Sequence, residues 1–244
     1  MTSWSGLNTA YFTEDKDDHI YNALVRSIVE HQLLPGSKLP EEALAEVFSV
    51  SRTGIRRVLQ RLAAVQLVTI LPKRGAHVTA PDAAESRDVF ATRKILECAN
   101  LSQVIARCQS THLVALKKLV QEEKRAHDER DGAAAIRLSA AFHVQLQAIS
   151  GNKVLTESVS QLTLRSSLAI AAWGAPWQQG CRCHDHDDLL ELLKKRDAVA
   201  LSASMAQHFD SIVASLRFEQ NKGSTPDFAQ IFAARMQVTE KDSD

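Results

Sequence analysis

Residues 49–79, SVSRTGIRRVLQRLAAVQLVTILPKRGAHVT, decide the fold. Their first half places Ile55, Val58, Leu59, Leu62 and Val65 at i, i+3, i+4 and i+7 spacing, the buried stripe of an amphipathic helix. Ser51 stands where an N-cap is needed, because its hydroxyl can accept from an otherwise unpaired backbone N–H. The pattern then changes to two β-prone runs, LVTIL and AHVT, joined by PKRG, where Gly75 can supply the positive φ of a tight turn. The stretch carries Arg52, Arg56, Arg57, Arg61, Lys73 and Arg74 and no Asp or Glu, in a chain whose 29 basic and 29 acidic residues cancel. A merely solvated helix face intersperses both signs. A basic helix followed by a basic hairpin suits duplex DNA instead, the helix in the major groove and the hairpin on the backbone. Arg52 and Arg56, four apart, project from one face near the helix N-terminus, and Arg57 lies about 100° round from Arg56. Arginine can pair bidentately with guanine O6 and N7, worth about 1–3 kcal/mol of base discrimination.

Towards the N-terminus, residues 1–16 are polar without a clear period and read as a mobile arm. From Asp17 a helix follows with Ile20, Leu24 and Ile28 on one face and two acids at its start, where the helix dipole favours them. LLPGSKLP breaks the chain, and EEALAEVF forms a short second helix expected to bury Leu44, Val47 and Phe48.

Towards the C-terminus, Pro81 and Asp82 mark a hinge, beyond which the pattern is helical over about 83–108, 111–129, 133–150, 153–173, 185–195 and 198–219. Phe228, Ile231 and Phe232 could dock one last short helix. The expected fold is mainly α: a winged helix-turn-helix over 17–80, then an all-helical bundle of six or seven helices over 81–244. At 244 residues the chain can hold two such domains, and abundant Ala and Leu favour helices packed on helices. With a net charge of zero, any affinity for nucleic acid must come from a patch. Four cysteines without a secreted framework, and neither a signal pattern nor a long apolar run, point to a cytoplasmic protein with no membrane partner. The chain has no GxSxG, HExxH, P-loop or dinucleotide fingerprint, and is not expected to be an enzyme.

Residues 20–78, with their spacing of PG, LP, LA, VSRT, R, L, L and RG, resemble the winged helix-turn-helix of the GntR family of bacterial transcription regulators. The resemblance implies that Arg52 and Arg56 are recognition-helix arginines. Ser51 and Thr53 are then candidates for phosphate or base contacts, and Arg57 is an additional contact. Lys73, Arg74 and Gly75 fall at the wing tip, which in the family approaches the minor groove. The family also implies a homodimer on a pseudo-palindromic operator, more often a repressor. Two residues depart from its pattern: Ser49 replaces a turn glycine and Gly54 a proline in the first helical turn.

Three histidines draw notice in the second domain: His143, His186 and His208. Spacing alone does not bring them together. FHVQLQAISGN, DHDDLLELLKKRD and MAQHF, however, resemble the FCD-type effector domain of the FadR branch of that family. Many such domains hold a divalent metal through one aspartate and three histidines. Here the aspartate's place, four residues before His143, is taken by Ser139, a weak ligand. Three imidazoles could still hold Zn²⁺ or Ni²⁺, completed by water or by the carboxylate of a small organic acid effector. Arg93 and Arg165 are the candidate cations for that acid, and Ser139 is a further candidate effector contact. A metal acting as the signal by itself is the alternative. The local cluster CRCHDHDD (Cys181, Cys183, His184, Asp185) fits no paired zinc spacing and reads as a loop.

Overall fold

The structure, a computed structural model, describes residues 16–174 and 185–218. The expected N-terminal arm up to residue 15, Cys181, Cys183 and His184, and the expected last helix around Phe228 lie outside the described residues. Contacts divide the chain after Ala80 into two compact units.

The first unit runs α1 (Lys16–Val29), β1 (Lys38–Leu39), α2 (Glu41–Val47), α3 (Arg52–Ala64), β2 (Val68–Leu71) and β3 (Gly75–Val78). Ser51 caps α3 as expected, its Oγ accepting from Gly54 N at 3.1 Å. That bond also uses the N–H that the family's proline would lack. Ile55, Val58, Leu59 and Leu62 turn inward against Ile20, Leu24 and Ile28 of α1 and Leu44 of α2, all fully or nearly fully buried. Val47, Phe48 and Val65, also expected inside, are only half-buried, because each sits at or beside the last turn of its helix, where the chain leaves the core.

Sheet order is β1-β3-β2, antiparallel throughout, with Val68 opposite Val78 and Leu71 opposite Gly75. β1 was not legible in the sequence: two residues followed by Pro40 are too short for any alternation to show. The wing turn is tighter than PKRG suggests. Arg74 N donates to Leu71 O at 3.1 Å, and both Lys73 (φ 60) and Gly75 (φ 82) have positive φ. Pro72 in the second position and a left-handed third residue match a type II turn, whose third place ordinarily belongs to glycine.

The second unit holds α4 (Ala83–Arg107), α5 (Ser110–Asp128), α6 (Gly132–Ala148), α7 (Lys153–Trp173), α8 (Asp185–Lys195) and α9 (Ala198–Ser215). Caps set most starts: Asp82, Asp131, Asn152 and Asp197 each accept from the backbone three residues on. One core fills the space between the helices, with Phe90, Phe142 and Phe209 among its largest members. α9 stops four residues short of the expected Glu219, where Leu216 turns extended. Trp173, the last residue of α7, donates its Nε1 to the carbonyl of Pro81 at 3.0 Å. Among the described residues no helix is long and apolar enough to cross a membrane.

Candidate functional sites

The backbone of α3 and the wing puts Ser51, Arg52, Thr53, Arg56, Arg57, Lys73, Arg74 and Gly75 all at the surface. The acid-free look of the segment does not carry over to that surface, because α1 and α2 bring carboxylates to it. Arg56 meets Glu41 at 2.7 Å, Arg57 meets Asp17 at 2.9 Å, and Arg52 stands 3.6 Å from Glu42. Arg61 pairs with Asp18 at 2.7 Å and lies over the Tyr21 ring, tying α3 to α1. The exposed pairs of Arg52 and Arg57 are each worth at most about 1 kcal/mol, so phosphates of a duplex can displace them.

In the second unit three helices aim imidazoles at one point. His143 (α6), His186 (α8) and His208 (α9) are 2–3 % exposed. His143 Nε2 lies 3.1 Å from His208 Nε2 and 3.3 Å from His186 Nε2. Each ring's other nitrogen faces a carboxylate: His143 Nδ1 to Glu97 at 2.7 Å, His186 Nδ1 to Glu123 at 2.6 Å, His208 Nδ1 to Asp185 at 3.2 Å. A carboxylate on Nδ1 fixes the tautomer with its proton there and leaves Nε2 bare. Burial, the largest influence, pushes His143 down to about 3, so the ring is neutral. Burial alone would raise the Glu97 carboxyl, but Arg93 and His143 outweigh it and hold the group at about 2.

Three bare nitrogens at this separation repel unless a cation lies among them. Two nitrogens on one tetrahedral zinc are about 3.3 Å apart, given bonds of about 2.0–2.1 Å. The carboxyl groups of Glu97, Glu123 and Asp185 stand behind the three rings, with Arg93 beside Glu97. The donor set therefore fits a divalent metal such as Zn²⁺ or Ni²⁺, with His143, His186 and His208 as its ligands.

A small cavity opens beside this centre, lined by Arg93, His143 and Ser139 together with His127, Thr163 and Ser166. Arg93 is 4 % exposed and sits over the Phe209 ring. Its Nε donates to Glu97 at 2.8 Å and its Nη1 to Ser166 Oγ at 3.2 Å, while the buried Nη2 has no hydrogen-bond partner among the described residues. Arg165 is not at the cavity. Its Nη2 holds Glu85, near the start of α4, at 2.7 Å.

Comparison with known proteins agrees with this architecture. Residues 16–78 match the gntR family of bacterial regulatory proteins, and residues 88–211 match the FCD domain. The chain belongs to the GntR family, with an FCD domain. It is 25 % identical over 218 residues to the HTH-type transcriptional repressor RspR of Escherichia coli, covering 89 % of this chain and 94 % of that one. The Nta operon transcriptional regulator of Aminobacter aminovorans is 26 % identical over 194 residues, 78 % of this chain and 90 % of the relative. Among solved structures, Escherichia coli McbR/YncC superposes with a TM-score of 0.72 at 20 % identity, covering 83 % of this chain and 97 % of that one. A GntR regulator from Rhodococcus gives 0.73 at 16 %, covering 82 % and 96 %. The two structures show a shared fold.

This GntR protein is thus a transcription regulator, not an enzyme, with a DNA-binding helix-turn-helix and an FCD effector domain. Glu97, Glu123 and Asp185, the carboxylates behind the three imidazoles, were missed in the sequence. A signal existed for two of them. Phe90, Arg93, Glu97, Leu101 and Val104 form one buried stripe of α4, and Leu116, Leu119, Val120 and Glu123 one of α5. A charged residue on an apolar stripe needs a buried partner. Asp185 opens α8 as expected, but its reach to His208 carried no signal in the sequence. His127, whose Nε2 is buried and lies 4.0 Å from Glu123, carried no signal beyond its place on α5.

Proposed function

We propose that the protein is a cytoplasmic, homodimeric repressor whose hold on a pseudo-palindromic operator is modulated by a small organic acid in the FCD domain. Residues 17–80 carry DNA binding, with Arg52, Arg56 and Arg57 in the major groove. Ser51 and Thr53 flank them, and Lys73, Arg74 and Gly75 of the wing contact the backbone. Residues 81–244 carry effector binding and dimerisation. The repressor sign rests on the relative RspR, named a repressor.

One observation supports the acid above all: Arg93, whose buried Nη2 has no hydrogen-bond partner among the described residues, lines the same cavity as His143, one of the three clustered imidazoles. A buried guanidinium N–H without an acceptor is destabilising, and a carboxylate supplies the acceptor it lacks. A bound metal would offer that carboxylate a coordination position, because Ser139 contributes no carboxylate of its own. His143, His186 and His208 hold the metal, Glu97, Glu123 and Asp185 orient them, and Arg93 orients the acid. Arg165, engaged with Glu85, is the weaker of the two proposed effector cations.

A thermal-shift screen of metal-loaded protein against dicarboxylates, hydroxy acids, sugar acids and amino acids tests this, since a ligand of the native state raises the melting temperature. An acid that stabilises the parent and releases operator DNA, but does neither with Arg93→Ala, is the expected result. No shift from any acid would sink the effector assignment. The second reading, a metalloregulator, is favoured by the three backing carboxylates, which orient the imidazoles toward a metal without any organic ligand. Zn²⁺ alone shifting operator affinity would decide for it. Elemental analysis of untagged protein and a Ser139→Asp variant, expected to bind metal more tightly than the parent, test the centre itself.

A further inference from the structure

Arg56 is held differently from its neighbours on α3. Glu41, the first residue of α2, accepts from Arg56 Nε at 3.0 Å and from Nη2 at 2.7 Å, one carboxylate oxygen to each. This two-pronged pair fixes the plane of the guanidinium as well as neutralising it. Glu41's side chain is 28 % exposed and Arg56's 58 %, so the carboxylate forms a seat from which the guanidinium reaches outward. Glu42, one residue on, is 81 % exposed and approaches Arg52 only to 3.6 Å. Arg56's hydrogen bonds also hold the Glu41 carboxyl below its usual range, so it stays ionised wherever the protein works. With Nε and one N–H of Nη2 engaged, the guanidinium keeps its other edge, Nη1 with the second Nη2 proton. That edge matches O6 and N7 of guanine.

We propose that Glu41 is a positioning residue for base recognition: it grips the side-on edge of Arg56 and thereby presents the end-on edge to a guanine in the major groove. The proposal rests on Arg56 belonging to the reading face. A long side chain oriented before contact loses less rotamer freedom on binding. A guanidinium already paired with a carboxylate also gains less from an arbitrary phosphate, which favours the base over the backbone. Glu41 thus affects discrimination more than overall grip.

The test is in vitro selection from a pool of randomised duplexes with full-length parent, Arg56→Ala, Glu41→Gln, Glu41→Asp and Glu42→Gln. Each protein is checked by thermal melting and then titrated with the parent's enriched duplex and with a random duplex. Arg56→Ala is expected to lose preference at a particular base pair. Glu41→Gln weakens preference at that same base pair, its ratio of enriched to random affinity falling about fivefold to tenfold, part of the discrimination a full bidentate contact supplies. Glu41→Asp, which keeps the charge but withdraws it by one methylene, falls between, and Glu42→Gln keeps the parent's motif. If Arg56→Ala loses the base pair while Glu41→Gln retains it in full, Glu41 is no positioning residue. Loss of preference at every position alike, with a lowered melting temperature, would make Glu41 structural and overturn the proposal too. If Arg56→Ala itself selects the parent's motif, the reading-face assignment fails first, and that outcome is distinct from the other two.

Discussion

An imidazole offers two nitrogens, and only the one without a proton can bind a metal. At His186 the choice is made by Glu123, 2.6 Å from Nδ1 and buried with it. Glu123→Gln keeps the shape but can turn an amide N–H toward that nitrogen, which disfavours the tautomer with a bare Nε2. Zinc affinity, measured by competition with a chromophoric chelator, should fall about 10–100-fold, the usual loss when an outer partner is removed. An unchanged affinity would show that the three nitrogens are held by packing alone. At this scale the sequence was legible in part. The three histidines stood out once the resemblance was seen, and Arg93 with them. Their carboxylates did not, because a glutamate four residues from an arginine on a helix looks like a surface pair until burial is known. Arg165 and Glu85, eighty residues apart, could not be paired from the sequence at all.

Helices announced themselves far better than turns did. Caps and apolar stripes are local, so α4 to α9 start within a residue of where their patterns begin. A positive φ, in contrast, depends on how the chain must turn between two packed elements. Ser49 has φ 51 between α2 and α3, and an L residue with a side chain pays for that region in steric crowding. Ser49→Gly is expected to stabilise the first unit by about 1 kcal/mol or less, read as a raised melting temperature of the full chain. A lowered one would mean that the hydroxyl's local contacts outweigh the relief. At the wing tip, Lys73 projects from a turn whose backbone is already constrained. Lys73→Ala should weaken operator and random duplex alike and flatten the logarithmic salt dependence by about 0.9, one phosphate's worth. A loss confined to the operator would place Lys73 on a base instead.

The whole molecule responds to acid through its buried centre. In metal-free protein His143 is depressed from 6.5 to about 3, so below about pH 6.5 the unfolded chain takes up a proton that the folded one refuses. Glu97, depressed from 4.5 to about 2, adds a second loss that begins below pH 4.5. Both signs agree: stability falls as pH drops. Melting of chelator-treated protein should decline steadily between about pH 6.5 and pH 5, with His143→Gln showing a flatter profile. A flat profile for the parent would contradict a neutral, enclosed His143.

α7 joins two places that matter: Thr163 and Ser166 stand at the cavity, and Trp173 at the helix end holds the carbonyl of Pro81, the first residue of the second unit. Indole emission depends on what its N–H is bonded to. A guest molecule that slides this rod by a fraction of an ångström would therefore change the protein's own ultraviolet glow, and comparison with Trp173→Phe would isolate that signal. Such a change in emission would report a ligand at the cavity without any added label.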